Sequence, residues 1–304
     1  MNDERNQIGR RGAAAHAACV LEVIARKAGN VHPGAVFADA SWTDFVVSAQ
    51  AVRALLDRAP PRGVGRTVLD GVQATRQVVG TNTNLGILLL LAPLCAVPDG
   101  VDLGPGVKEV LAGLTAEDAA LVYQAIRLAR PGGMGTADEA DIASAAPASL
   151  LEAMALAAPR DAVARQYVTS FQQVFHVAQR VASLGPPLSR AIVTAHLEQM
   201  AEEADTLIRR KCGDQVARES QSRAQRVLNA GWPDTTRSHE AFETLDAWLR
   251  EDGNRRNPGT SADLIAAGLY AALWTKRIRM PVSWHESLWG LETEEERGSG
   301  MGSA

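Results

Sequence analysis

The sequence predicts an all-α fold, a single globular multi-helix bundle of about 10–13 helices with no significant sheet. Three observations predict it. Apolar residues recur at helical spacing along most of the chain, and alternating β-branched runs are scarce. Alanine, the strongest helix former, is abundant, while aromatic residues make up only 5%. Breaks rich in Gly, Pro, Asn and Thr separate the periodic segments.

The elements follow in order. Residues 13–27 form a first helix with Cys19, Val20, Val23 and Ile24 on one face. A second spans 43–57, capped by Ser41 or Thr43. The Pro/Gly-rich stretch 56–66 reads as a connection. Helices at 67–79 and 84–97 flank a glycine segment, and Thr115 with Asp118 approximates a capping box for a helix that runs to Arg130. The break at 131–136 is followed by helices at 147–157 and 160–183. The long pattern from Leu188 to about Ala230 divides at Gly213, and 235–251 and 261–279 complete the set. One catalytic domain is expected over 11–292, with disordered ends at 1–10 and 293–304 that have little to bury.

Composition narrows the function classes. The chain has 304 residues, 46% of them hydrophobic and 22% charged, enough to bury a large core. A net charge of -4 gives no reason to expect a nucleic-acid partner. Cys19, Cys95 and Cys212 are far apart and odd in number, which suits a reducing cytoplasm better than a disulfide framework. The charged start, Met1-Asn2-Asp3-Glu4-Arg5, lacks a signal-peptide core, and the apolar run 85–97 is too short for a bilayer. No membrane partner is expected.

The chemistry is expected in five polar segments at helix ends. Gly80-Thr81-Asn82-Thr83-Asn84-Leu85-Gly86 precedes a wholly apolar helix. A helix starting there aims free N–H groups and its positive dipole end at the mouth, where an anion such as phosphate fits; an ordinary capped core helix is the alternative. The others are 27–34 with Asn30 and His32, 132–141 with Gly133, Asp138, Glu139 and Asp141, 202–211, and 257–263. Glu202, Asp205 and Arg209 lie three and four apart, on one expected helix face. Ser261 reads as an N-cap with Asp263 in the first turn.

These pieces resemble, in order, the triphosphoribosyl-dephospho-coenzyme A synthase family, which is all-helical. Leu21-Glu22-Val23 leads to Pro33-Gly34 and then Asp44-Phe45. The segment 80–86 resembles the family's Gly-x-Asn-Thr-x-x-Gly. Glu203-Ala204-Asp205-Thr206 with Arg209 and Gly213 resembles its Asp-Thr-Asn…Arg-Gly-Gly region. Pro258-Gly259-Thr260-Ser261-Ala262-Asp263-Leu264 resembles its Pro-Gly-Gly-Ser-Ala-Asp-Met/Leu. The resemblance covers roughly residues 15–280. Leu207 replaces the family's Asn, Arg210-Lys211-Cys212 interrupt its Arg-Gly-Gly, and Asp39 is displaced behind Phe37. Those departures resemble a divergent branch associated with gene sets for tetrahydromethanopterin-type one-carbon cofactors.

The resemblance implies a transferase. A ribose hydroxyl of dephospho-coenzyme A attacks the anomeric carbon of ATP, and adenine leaves. Such chemistry needs charge neutralisation for the triphosphate, negative charge near the oxocarbenium-like centre, and proton transfer at both ends. On this reading Asn82, Thr83, Asn84, Arg209, Ser261 and Asp263 bind the nucleotide. Asp205, Glu202 and His32 are the catalytic candidates, and Asn30 and Gly133 meet the acceptor. Asp205, Asp138 and Asp141 hold Mg2+. Alternatives are a pterin-cofactor precursor as acceptor, a magnesium-dependent ribosyl hydrolase, or a non-catalytic helical scaffold.

Overall fold

The computed structural model describes residues 10–131 and 149–284. Fifteen helices run through them, with no strand among the described residues. They are α1 (Arg10–Ile24), α2 (Trp42–Asp57), α3 (Ala59–Arg62), α4 (Val64–Val78), α5 (Leu85–Ala96), α6 (Leu103–Ala112), α7 (Ala116–Ala129) and α8 (Leu150–Ala157). After these come α9 (Ala162–Val168), α10 (Gln172–Leu184), α11 (Leu188–Glu202), α12 (Thr206–Cys212), α13 (Asp214–Asn229), α14 (Thr236–Arg250) and α15 (Gly259–Trp274). The ends expected to be disordered lie outside the described residues except Arg10, which opens α1.

The all-α reading stands, with more and shorter helices than the periodicity gives. The pattern at 160–183 is two helices, because Ser170 and Phe171 take φ of 54° and 63° between them. The fully buried Phe171 ring lies 5.7 Å from that of Tyr167. The 188–230 pattern is three helices: α11 ends at Glu202 and a new helix starts at Thr206, ahead of the break at Gly213. The stretch 56–66 holds the one-turn α3, and α6 forms over Gly104-Pro105-Gly106, where the periodicity gives no helix. Pro105 falls in the first turn, where its missing N–H costs nothing, and a Cβ at Gly106 would strike Val97.

Two helices are buried almost all round and carry the core. Every residue of α5 but Gly86 is buried, as is every residue of α15 between Thr260 and Ala272 except Asp263. A helix apolar on all faces belongs at the centre of a bundle. α1 and α10 flank α15, and α4 and α6 flank α5. Pro93 lies inside α5 and cannot donate to the Leu89 carbonyl, and the buried Tyr167 hydroxyl does so instead at 2.6 Å. The expected caps also form. The Asp44 carboxylate takes the Ser41 N–H at 2.7 Å, and Thr115 and Asp118 exchange both capping-box bonds. No described helix is long and apolar enough to cross a membrane.

Candidate active site

Gly86 and Asp263, half-buried where their neighbours in the central helices are buried, touch each other. A Cβ at Gly86 would collide with the Asp263 carboxylate. This contact joins the first turn of α5 to the first turn of α15. The N-terminus of α12 is bound to the same place. Asp205, its N-cap, accepts from the Leu207 and Ile208 N–H groups at 2.8 and 3.0 Å through Oδ1. Its Oδ2 accepts from the Ser261 N–H and hydroxyl, both at 2.8 Å. Thr206 donates to Thr260 at 3.1 Å and accepts from the Ala162 N–H at 3.3 Å, which ties in the start of α9. Four helix N-termini thus converge on one point.

The glycine segment shapes one wall. Asn82 is exposed and its Oδ1 accepts from the Leu85 N–H at 3.2 Å. Thr83 and Asn84 are buried: Thr83 meets the Ser48 hydroxyl at 2.6 Å, and Asn84 donates to Thr75 at 2.8 Å. With Asn84 as N-cap, the N–H groups of Gly86 and Ile87 have no acceptor inside the helix. Thr83 and Asn84 line a narrow crevice with Cys19, Glu22, Phe45 and Leu88, and it has about 10 Å³ of free space, room for roughly one water-sized group.

Two charged residues that the sequence reading left without a role stand beneath this wall. Glu22 is 4% exposed and pairs at 2.9 Å with Lys27, which is fully buried. Lys27 also donates to the Glu22 and Ala25 carbonyls, closing the C-terminal end of α1. Burial pushes the Glu22 carboxyl above the usual carboxylate range, and Lys27 offsets only part of that rise. Asp263 is raised well above the carboxylate range, by burial first and then by the negative charges of Glu22, Asp205 and Asp161. Among the described residues it has no hydrogen bond or ion pair, and Arg210 is the cation that acts on it. A Glu set inside the apolar run 19–24 was the available signal, since buried charges carry partners.

Other expected residues sit differently. Glu202, Asp205 and Arg209 do not share a helix face, because the chain leaves the helix between 202 and 206. Glu202 is exposed at the end of α11, and Arg209 pairs with Asp214 at 3.2 Å. Arg210 lies 3.5 Å from Asp161. Ser261 is not the N-cap of α15, a position held by Pro258; its side chain serves Asp205. All four acceptor positions of the Asp205 carboxylate are engaged, so it binds helix ends together; burial pushes its carboxyl up and these four donors pull it part of the way back. Burial, then Arg250 and Lys27, push His32 down to about 4, so it is neutral near pH 7. Its Nδ1 accepts from the Gly34 N–H at 3.0 Å, which leaves the proton on Nε2 and makes that atom a donor rather than a base. Asn30 is buried, its backbone carbonyl held by Arg250 at 2.7 Å and its Nδ2 without a partner among the described residues. Gly133, Asp138, Glu139 and Asp141 lie outside the described residues.

A broader depression of about 580 Å³ over α13 meets these residues at Asp214, the partner of Arg209. Its charges are paired, Arg223 and Arg226 with Glu219, and Arg218 and Arg209 with Asp214.

The ATP:dephospho-CoA triphosphoribosyl transferase (CitG) family model matches residues 9–282, across every helix that builds this mouth. The chain belongs to that family. It is a transferase of the triphosphoribosyl-dephospho-CoA synthase type. A proposed triphosphoribosyl-dephospho-coA synthase from Archaeoglobus fulgidus, solved by crystallography, is similar in structure with a TM-score of 0.59 and 25% sequence identity. The match covers 74% of this chain and 96% of the Archaeoglobus chain. No curated protein matches.

Proposed function

We propose that this member moves the triphosphoribosyl group of ATP onto a ribose hydroxyl of dephospho-coenzyme A and releases adenine, at the mouth where α5 and α15 meet. The contact between Gly86 and Asp263 carries the reading, because it brings two family motifs from distant parts of the chain into one place. The free N–H groups of Gly86 and Ile87, at the positive end of α5, suit a phosphate oxygen. Arg210 takes the place expected for Arg209 as the cation on this side. Asn82, Thr83 and Asn84 hold the shape of the wall through their own hydrogen bonds, and Asp205 with Ser261 holds α12 to α15.

The donor set among the described residues does not form a resident magnesium cage. No group of three or more His, Cys, Asp or Glu side chains among the described residues could hold a metal ion, and both Asp205 oxygens are committed. Mg2+ usually binds through substrate phosphates with one or two carboxylates. In our reading it arrives on the triphosphate, as part of the substrate.

The test is incubation of the purified chain with ATP, Mg2+ and dephospho-coenzyme A, followed by mass spectrometry. Free adenine and a product that retains all three phosphates are expected. ADP or AMP as sole products would overturn the reading. Adenine released only with a ribitol-linked pterin precursor would keep the transfer and change the acceptor.

A further inference from the structure

We propose that Glu22 and Asp263 are the base and the acid of the reaction: Glu22 takes the proton of the attacking hydroxyl and Asp263 gives one to the departing adenine. The inference rests on the transfer reading above and adds the residues that move its protons.

The geometry separates the two carboxyls into different environments at one mouth. Glu22 lines the crevice beside Thr83 and Asn84, with the Lys27 ammonium 2.9 Å from its Oε1. Lys27 cannot swing away, because it is fully buried and its other protons go to the two carbonyls at the end of α1. The charged form of Glu22 therefore has a fixed cation. Asp263 has its carboxyl against the Gly86 backbone and no ion pair or hydrogen bond among the described residues. The charges that face it are Glu22 from α1, Asp161 from the start of α9, Asp205 and Arg210 from α12. Three are negative and one is positive, so the neutral acid is the favoured form. Burial raises both carboxyls, but Lys27 offsets part of the rise at Glu22 while no cation among the described residues pairs with Asp263, so their titrations are set apart, which is the pattern of an acid–base pair. Cys19 stands beside both and does not compete as a base, since burial and the two carboxyls push its thiol up.

The step balances. The acceptor oxygen forms a bond to the anomeric carbon as the bond from that carbon to adenine N9 breaks. The hydroxyl proton passes to Glu22, and the Asp263 proton passes to a ring nitrogen of the adenine, which leaves neutral. Return of the proton from Glu22 to Asp263 restores the starting state. Glu22 must be ionised and Asp263 protonated, so the rate rises with pH through the Glu22 pKa and falls through that of Asp263.

The test measures adenine release against pH for the wild type, Glu22→Gln, Asp263→Asn, Lys27→Met and the double variant Glu22→Gln/Lys27→Met, with infrared spectra of the same proteins. The double variant removes the unpaired ammonium that could unfold Glu22→Gln. We expect a bell-shaped wild-type profile. Glu22→Gln and the double variant should lose the acidic limb and Asp263→Asn the basic limb, each with a loss of about 10²–10⁴-fold. Lys27 is a positioning residue, so Lys27→Met should keep activity with its acidic limb moved to higher pH. In the infrared, the stretch of a protonated carboxyl should be present near pH 7 and absent in Asp263→Asn. Unchanged limbs in the variants, or an ionised Asp263 near pH 7, would overturn the pair while leaving the transfer intact. A wild type that releases no adenine with any acceptor would overturn the transfer and these roles together.

Discussion

A buried charge is judged by what accompanies it, and three acidic residues at this mouth differ in that respect. Asp205 is saturated by four donors, Glu22 has a cation, and Asp263 has neither. Their substitutions should differ accordingly. Asp205→Asn turns an amide NH2 toward groups that are themselves donors, and is expected to cost about 2–3 kcal/mol in urea unfolding. Asp263→Asn should cost little, because Asn resembles the neutral acid. The sign follows from linkage: a carboxyl raised above 3.8 in the folded state binds more protons there than in the unfolded chain, so stability falls as pH rises from 3.8 through the folded value. Asp263→Asn should remove that fall, giving a flatter stability–pH curve on the alkaline side. Neutral His32 works in the opposite sense. With its pKa lowered from 6.5 to about 4, stability is lost as pH falls through that window. Unfolding midpoints measured from pH 4 to 8 would separate the two, and an unchanged slope in Asp263→Asn would refute the assignment of the alkaline fall.

Among elements, α5 shows how a helix can be built around two missing groups. Gly86 lacks a Cβ, which lets α15 approach, and Pro93 lacks an N–H, which frees a carbonyl for Tyr167. The glycines that bracket the motif are therefore unequal. Gly80 has open space around it, so Gly80→Ala should be neutral in stability and adenine release, whereas Gly86→Ala drives a methyl into the Asp263 carboxyl and should abolish release. Adding Asp263→Ala to Gly86→Ala should recover thermal stability but not activity. Tyr167→Phe should cost about 1–3 kcal/mol by stranding the Leu89 carbonyl. That cost should shrink in a Pro93→Ala background, where an N–H at residue 93 takes the bond, and a double-mutant cycle reads the difference.

In the whole molecule, what was legible in the sequence divides by range. Helices with periodic faces and local caps, such as those opened by Ser41 and Thr115, were readable because their determinants lie within four residues. The breaks at Phe171 and between Glu202 and Thr206 were not, because they arise where a ring or a capping aspartate is bound by distant helices. The mouth followed the same rule. Its glycine segment and the 258–264 segment were visible as polar interruptions, while the link from Glu22 to Lys27 needs the chain to turn back after α1. Arg210 acts on Asp263 and Arg209 pairs with Asp214 for a similar reason, since the new N-cap at Asp205 resets which residues share a face. The proposed site, assembled from α1, α5, α12 and α15, exists only in the folded chain, so nucleotide binding there should be coupled to global stability. ATP at a hundred times its Kd should add about 2.7 kcal/mol and raise Tm. Gly80→Ala should keep that increment, and Gly86→Ala should lose it through the blocked mouth. Equal rises in Tm for both variants would mean that ATP binds away from the convergence of these helices.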